Sequence, residues 1–287
     1  MRVAGAPISW GVCEVPGWGH QLAPSLVLSQ MRELGLQATE LGPLGFLPDE
    51  PAAKAELLAS HGLAAVAEFV PVVLHDSRAD PVPVLDTALD GLVAAGAGVV
   101  VLAAATGATG YDARPTLDDA DWQRVAVMLD QLTERAAERG VLATLHPHVG
   151  TVVETAEEID RVLSTSQVAL CLDTGHALIG GADPVAIARD ATDRIRHVHL
   201  KDVDLAWAER VRAGELAYSA AVAGGLYRPL GEGQVDIAGI VTSLEAAGYE
   251  GWYVLEQDTV LAGDLVGPGP AGEVQRCLDY LRACSRR

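Results

Sequence analysis

The sequence predicts an α/β fold, a single (β/α)8 TIM barrel built from all 287 residues. Short apolar segments rich in β-branched residues alternate with longer segments of helical period, which is the pattern of repeated βα units and a parallel sheet. The alternation occurs eight times, and a barrel of this kind usually takes about 250 residues. An open, doubly wound sheet is the structural alternative, but the turn after the first strand lacks the GxGxxG spacing typical of that fold.

The predicted strands share short length and apolar composition. They cover residues 3–9, 37–41, 63–70, 98–103, 141–146, 168–172, 195–200 and 251–256. The predicted helices lie between and after them, at residues 24–35, 50–61, 83–96, 118–140, 154–164, 184–193, 236–248 and 270–284. Asp118 stands where a helix N-cap is expected, and glycines suited to a left-handed C-cap follow four helices, at Gly35, Gly62, Gly140 and Gly248.

One long segment, residues 201–235, follows the seventh predicted strand and shows no clear period. We therefore expect an irregular loop. Loops of this length in a compact domain are usually functional or disordered, and this one is expected on the face that carries the active site.

Charge and composition restrict the partners. The formal net charge of −19 opposes binding to a phosphate backbone or an anionic membrane, so neither a nucleic acid nor a membrane is an expected partner. A small neutral polyol or keto sugar suits this balance better, and a homo-oligomer stays open. The N-terminus lacks the apolar stretch of a secretory signal, and the four cysteines show no CxxC spacing. We expect a cytoplasmic protein with reduced cysteines.

Histidines are concentrated where this fold carries its chemistry, at the carboxyl ends of the strands. Five of the eight lie between residues 146 and 199, namely His146, His148, His176, His197 and His199. Because side chains alternate along a strand, His146 shares a face with His148, and His199 shares a face with His197 and Lys201. Glu256 ends the eighth predicted strand. Neighbouring strands are thus expected to direct these groups to one point.

Two imidazoles and two carboxylates form a mixed nitrogen and oxygen set that suits one divalent ion. The expected ligands are His146, Asp173, His199 and Glu256, with His148 as the alternative to His146. We expect Mn²⁺ or Co²⁺, and Mg²⁺, Fe²⁺ and Zn²⁺ are alternatives.

Three motifs, DTGH at 173–176, HVHLKD at 197–202 and GWYVLEQD at 251–258, resemble those of the xylose-isomerase-like TIM-barrel superfamily. The resemblance spans nearly the whole chain and implies sugar isomerase, epimerase or dehydratase chemistry, with Asp173, His199 and Glu256 as metal ligands. The fifth strand departs from the superfamily, since LHPHVGT places His146 where a glutamate is usual. Together with the opening PISWGVCEVPGWG, this strand end resembles the inosose dehydratase branch.

That branch implies dehydration of 2-keto-myo-inositol in inositol catabolism, which needs a base and an acid beside the metal. His176 and Lys201 are the candidates for proton transfer, although His176 is also suited to orienting Asp173. The residues expected to contact substrate are Trp10, Glu14, Glu40, Glu68 and His148.

Two other functions remain open on the sequence. An isomerase or epimerase of ketoses or inososes uses the same enediol chemistry without loss of water. A sugar-binding barrel without catalysis is the second alternative. Endonuclease IV-type DNA repair enzymes share the superfamily, but they need a basic groove, which the net charge of −19 opposes.

Overall fold

Parallel strands form a barrel in the computed structural model, which describes residues 1–263, 267 and 269–284. The strands are β1 (Arg2–Gly5), β2 (Ala38–Thr39), β3 (Ala64–Ala65), β4 (Ala67–Val72), β5 (Val99–Ala104), β6 (Leu142–Leu145), β7 (Ala169–Asp173), β8 (Ile195–Leu200), β9 (Asp202–Val203), β10 (Tyr227–Arg228) and β11 (Trp252–Leu255). The main sheet has the order β3-β2-β1-β11-β8-β7-β6-β5-β4, while β9 and β10 form a separate antiparallel pair.

The barrel closes through one stretch of chain. Only Val66 separates β3 from β4, and these two strands pair with β2 and β5, on opposite sides of the sheet order. The Leu41 N–H donates to the Ala67 carbonyl at 2.9 Å, which continues the pairing past the interruption. The two ends of the sheet order are therefore one strand, and the predicted TIM barrel is confirmed.

Eleven α-helices occur among the described residues. They are α1 (Pro24–Glu33), α2 (Pro51–Ser60), α3 (Val82–Ala95), α4 (Asp119–Glu138), α5 (Ala156–Thr165), α6 (Thr174–Ile179), α7 (Pro184–Asp190), α8 (Leu205–Arg212), α9 (Tyr218–Ala223), α10 (Ile237–Ala246) and α11 (Gly269–Cys284). Each predicted helix is present, whereas α6, α8 and α9 were not predicted. None of the helices in the described part of the chain is long and apolar enough to cross a membrane.

The predicted helix ends are also found. Asp118 caps α4 by accepting from the backbone N–H groups of Ala120 and Asp121, and Asp121 completes a capping box. The expected glycines all adopt positive φ, namely Gly35, Gly62, Gly140 and Gly248.

Two local predictions were wrong. The sequence predicts a first strand over residues 3–9, but β1 ends at Gly5 and a 3-10 helix spans Pro7–Trp10. Pro7 lacks a backbone N–H and its fixed φ suits the first helical turn, so it stops the strand. Residues 201–235 are not irregular either, since they contain β9, α8, α9 and β10. Such short elements leave little periodicity to detect.

The carboxylate of Asp202 holds this segment together. It accepts hydrogen bonds from the backbone N–H groups of Val203, Gly231, Gly233 and Val235, at 2.8 to 2.9 Å. Four donors converge on one buried side chain and offset part of the cost of removing its charge from water, although burial still raises the pKa of Asp202. The segment is thereby tied to the end of β8.

The barrel interior is filled by small side chains, and the larger apolar side chains lie between the strands and the helices. The inner cluster consists of Ala4, Ala6, Ala38, Val66, Ala67, Val101, Cys171 and Val254. On β4, Ala67 packs in this cluster with Phe69 beside it, whereas Val70 belongs to the outer core. Because side chains alternate, Glu68 points out of the barrel.

Glu68 therefore does not join the histidines at the centre of the barrel. It lies between β4 and the helix layer, where Lys54 of α2 approaches Gly91 of α3. Its Oε2 atom is buried and has no hydrogen-bond partner among the described residues. The expectation that Glu68 contacts substrate finds no support in this placement.

We predict that Glu68→Gln changes how stability depends on pH. Burial raises the pKa of Glu68 from 4.5 to about 7, although the charge of Lys54 opposes the rise. The folded chain thus holds this proton more tightly than the unfolded chain, and its stabilising contribution is complete below pH 4.5 and lost as pH rises through 7. At about 1.4 kcal/mol per pH unit, the loss is about 3 kcal/mol.

Urea unfolding between pH 4.5 and pH 8 measures this effect. The free energy of unfolding of the wild type should fall relative to that of Glu68→Gln as pH rises, because glutamine stays neutral throughout. Glu56→Gln, at an exposed position of α2, is the matched control. Parallel pH curves for wild type and Glu68→Gln would contradict the assignment.

Candidate active site

The turn after β7 shapes one side of the site through the DTGH sequence. Asp173 caps α6, because its Oδ1 atom accepts from the backbone N–H groups of Gly175 and His176 at 2.9 and 2.8 Å. Its second oxygen, Oδ2, is buried and makes no hydrogen bond within the described residues. Capping therefore fixes the carboxylate and leaves one oxygen directed at neighbouring side chains.

The same turn packs tightly against the chain that follows β8. Thr174 Oγ1 donates to the carbonyl of Lys201 at 2.7 Å and accepts from its backbone N–H at 2.9 Å. A Cβ atom on Gly175 would lie 2.6 Å from Cβ of Lys201, which is too close for any other residue without a backbone shift. This close approach brings Lys201 beside Asp173.

His199 is oriented by a buried carboxylate. Glu40 Oε1 accepts from Nε2 of His199 at 2.9 Å and from Nε2 of His197 at 2.7 Å. Burial alone would raise the pKa of Glu40, but the charges and N–H groups of His199 and His197 hold it below its ordinary value. The ionised Glu40 thereby fixes the His199 ring and directs Nδ1 towards Asp173 and Glu256.

Four side chains from four strand ends converge. His199 Nδ1 lies 3.0 Å from Glu256 Oε2 and 3.7 Å from Asp173 Oδ2, and His146 Nε2 lies 3.3 Å from the same Asp173 oxygen. One nitrogen or oxygen from each of these four residues falls within 4.8 Å of the others. The structure therefore brings together the four residues predicted as ligands.

This set fits a divalent ion. Asp173 Oδ2 and His199 Nδ1 are buried yet lack hydrogen-bond partners among the described residues, and a cation between them would satisfy both. Mn²⁺, Co²⁺, Fe²⁺ and Zn²⁺ can each be bound by two nitrogen and two oxygen ligands. Cys171 also lies near His146 and His199. Burial raises the pKa of its thiol to about 11, which keeps it protonated and a poor ligand.

His148 occupies a different position from His146. Its Nδ1 atom donates to the carbonyl of Val149 at 2.7 Å, and its ring stacks on that of His176 with centroids 3.7 Å apart. Burial and the neighbouring positive charges lower the pKa of His148 well below its ordinary value, so the ring is neutral. The geometry groups His146, and not His148, with the oxygens of Asp173 and Glu256.

Lys201 sits among carboxylates. Its Nζ atom lies 3.4 Å from Asp173 Oδ2, 3.0 Å from Glu256 Oε2 and 2.7 Å from Asp258 Oδ1. Burial lowers the pKa of Lys201, but these three charges outweigh burial and hold it well above its ordinary value. The side chain is therefore an ammonium ion, and it donates to Nε2 of His176 at 3.0 Å.

Three polar residues near Lys201 were missed by the sequence analysis. Asp258 accepts from the hydroxyl of Tyr218 at 2.9 Å, and the hydroxyls of Tyr218 and Tyr227 are 2.8 Å apart. Asp258 has the same parity as Glu256 along the strand end, a signal that could have identified it. The tyrosines lie in α9 and β10, inside the segment expected to be irregular, so no periodicity marked them.

One central cavity is lined by some of the residues predicted to contact substrate but not by others. It is lined by Glu14, Glu40, Phe69, Tyr111, His146, His148, Lys201, Tyr218, Glu256 and Asp258, together with apolar residues of the first two strand-end loops. Glu14 accepts a hydrogen bond from the hydroxyl of Tyr111 at the mouth. Trp10 is fully buried and donates to Gln30 on α1, so it packs outside the cavity, which Trp18 lines instead. Glu68 is also absent from this lining.

The chain was compared with known proteins. The sequence model of the xylose isomerase-like TIM barrel family matches residues 28–284. The chain is 34% identical to the inosose dehydratase of Geobacillus kaustophilus (strain HTA426), covering 100% of this chain and 98% of that protein. It is 35% identical to the rhizopine catabolism protein MocC of Rhizobium meliloti, covering 90% of this chain and 82% of that protein.

Solved structures share the architecture at lower sequence identity. The structure of IOLI protein, which carries a bound zinc atom, superposes with a TM-score of 0.69 at 15% identity, covering 99% of this chain and 98% of that one. At this identity the likeness concerns the fold. The family match and the full-length relatives show that this chain belongs to the xylose isomerase-like TIM barrel family.

Proposed function

We propose that this protein is a metal-dependent carbon–oxygen lyase that dehydrates 2-keto-myo-inositol, the inosose of inositol catabolism. Full-length similarity to an inosose dehydratase supports the substrate. The observation that carries the proposal is the buried convergence of His146, Asp173, His199 and Glu256 beside the Lys201 ammonium. Such a site combines a place for a cation with a group that can donate a proton.

His146, Asp173, His199 and Glu256 would hold the ion. When bound, a divalent ion would polarise a ketone and a neighbouring hydroxyl and so acidify the hydrogen on the carbon that carries this hydroxyl. Mn²⁺ or Co²⁺ is the ion we propose, on the mixed nitrogen and oxygen donors. The zinc atom bound in IOLI protein makes Zn²⁺ the first alternative to test.

The residues of this chain provide the proton transfers. Loss of water removes a proton from the carbon beside the ketone and a hydroxyl from the next carbon. His148 lines the cavity as a neutral imidazole, and its Nδ1–H donates a hydrogen bond to the carbonyl of Val149. Its Nε2 atom therefore carries the lone pair that can accept the proton from carbon. Lys201 donates a proton to the departing hydroxyl, and the enol that remains rearranges to a diketone.

His176 acts through Lys201 in this proposal. It does not line the cavity, but its Nε2 atom is 3.0 Å from Lys201 Nζ. The proton that His148 takes from carbon must return to Lys201 after each turnover, and His176 lies between the two, since its ring stacks on that of His148 with centroids 3.7 Å apart. Glu14, Tyr111 and Tyr218 line the cavity with polar atoms, which suits the hydroxyl groups of a neutral polyol ring.

The first test is catalysis by the protein loaded with Mn²⁺, Co²⁺ or Zn²⁺. Incubation with 2-keto-myo-inositol should produce an absorbing conjugated diketone, monitored in the ultraviolet. Conversion to another inosose without that product would instead indicate an epimerase. Metal binding without any conversion would indicate a sugar-binding barrel.

We predict that His146→Ala loses the metal and the activity together, because it removes one of four ligands. His148→Ala should keep the metal and lose activity by about 100-fold or more, as expected for a lost general base. Metal content by elemental analysis and the diketone assay measure both outcomes, with His61→Ala at the end of α2 as the control. A metal-loaded, active His146→Ala protein would show that another residue provides the ligand.

We also predict that Glu40→Gln weakens metal binding by about 10- to 100-fold, the usual effect of removing a carboxylate that orients a histidine ligand. Glu40 contacts Nε2 of His199 and leaves Nδ1 as the ligand atom. Competition with a metallochromic chelator measures the dissociation constant. Glu33→Gln, exposed on α1, is the control, and equal affinity of Glu40→Gln and wild type would exclude the orienting role.

A further inference from the structure

Asp258 connects the proton donor of the site to the segment that covers it. The residue is buried at 7% exposure, two positions after Glu256. One carboxylate oxygen, Oδ1, lies 2.7 Å from Lys201 Nζ, and the other accepts from the hydroxyl of Tyr218 at 2.9 Å. Each oxygen is thus directed to a different partner.

The contact between Asp258 and Lys201 differs from the contacts that Asp173 and Glu256 make with Lys201. Lys201 faces three carboxylates, but those of Asp173 and Glu256 belong to the set that fits a cation. The charges of Asp173 and Glu256 would be balanced in part by a cation bound to that set, which would weaken their attraction for Lys201. Asp258 lies outside that set and gives the shortest of the three contacts, so its charge would remain available to Lys201 with a cation bound.

The other side of Asp258 reaches the segment between β9 and β10. Tyr218 begins α9, and its hydroxyl also meets the hydroxyl of Tyr227 at 2.8 Å. The ring of Tyr227 lies 5.4 Å from Lys201 Nζ, within reach of a cation–π contact. Asp258 and Tyr227 therefore both lie beside the Lys201 ammonium, and Tyr218 joins them through its hydroxyl.

We propose that Asp258 is a positioning residue that holds the Lys201 ammonium at the cavity and, through Tyr218, fixes α9 beside it. The inference rests on the proposed function for the role of Lys201 as acid. The contact between Asp258 and Lys201 can be tested without that function.

The kinetic test is a double-mutant cycle with Asp258→Asn and Lys201→Met. Asp258→Asn should lower kcat by roughly 10- to 100-fold with little change in KM or metal content, since coupled buried groups interact at that level. In the Lys201→Met background the same change should lower kcat less than about 2-fold. Asp258→Glu, which keeps the charge, should recover part of the loss, and Asp160→Asn, exposed on α5, is the matched control.

The sequence offers a readout that does not depend on catalysis. The chain has only two lysines, Lys54 and Lys201. Protein labelled with [¹⁵Nζ]lysine therefore gives two side-chain ammonium signals by NMR, assigned with Lys54→Met and Lys201→Met. Asp258→Asn should shift or abolish the Lys201 signal and leave that of Lys54 in place, while Asp258→Glu should retain both.

The outcomes separate the two proposals. An unchanged Lys201 signal in Asp258→Asn, or an equal loss of kcat in both Lys201 backgrounds, would overturn the positioning role. A wild type without dehydratase activity would overturn the proposed function, and the NMR comparison would still decide the contact. If Asp258→Asn does not fold, Tyr218→Phe provides the NMR comparison, because loss of its hydrogen bond to Asp258 should shift the Lys201 signal and leave that of Lys54 in place. An unchanged Lys201 signal in Tyr218→Phe would overturn the positioning role.

Discussion

The site depends on the burial of several charges at one end of the barrel. A charge removed from water is costly unless an opposite charge or several hydrogen bonds replace the solvent. Here the Lys201 ammonium lies within 3.4 Å of three carboxylates, and Glu40 accepts hydrogen bonds from two histidines. Removing one partner would leave another uncompensated, so these residues are interdependent.

Close backbone packing makes that burial attainable. Gly175 lets the turn after β7 approach the Lys201 backbone, and Thr174 bonds both polar groups of that backbone. On the far side, Asp202 gathers four backbone N–H groups and ties the following segment to β8. The segment then carries Tyr218 to Asp258. Small residues and capped turns thus place the charged groups, while the larger apolar side chains between the strands and the helices form most of the core.

The features that strand order and the alternation of side chains along a strand determine could be predicted from the sequence. Asp173 and His199 could be placed together because each stands at the end of a strand in a repeated βα pattern. Glu68 shows the limit of that reasoning, because the strand was predicted but the face of the residue was not. Tyr218 lies in a helix of six residues, too short for a detectable period. Its contact with Asp258 joins positions 40 residues apart, which no local pattern encodes.

The charges of the site explain why a histidine after β6 is compatible with a lysine after β8. Asp173, Glu256, Asp258 and the ionised Glu40 bring four negative charges to this end of the barrel, and Lys201 brings one positive charge. This excess of negative charge favours binding of a divalent cation. Nε2 of His146 lies 3.3 Å from Asp173 Oδ2, and a glutamate in place of His146 would add a further negative charge beside that oxygen, whereas an imidazole carries no negative charge. In the proposed site His146 would limit the negative charge around Asp173, and Asp258 would give Lys201 a counter-ion outside the four proposed ligands.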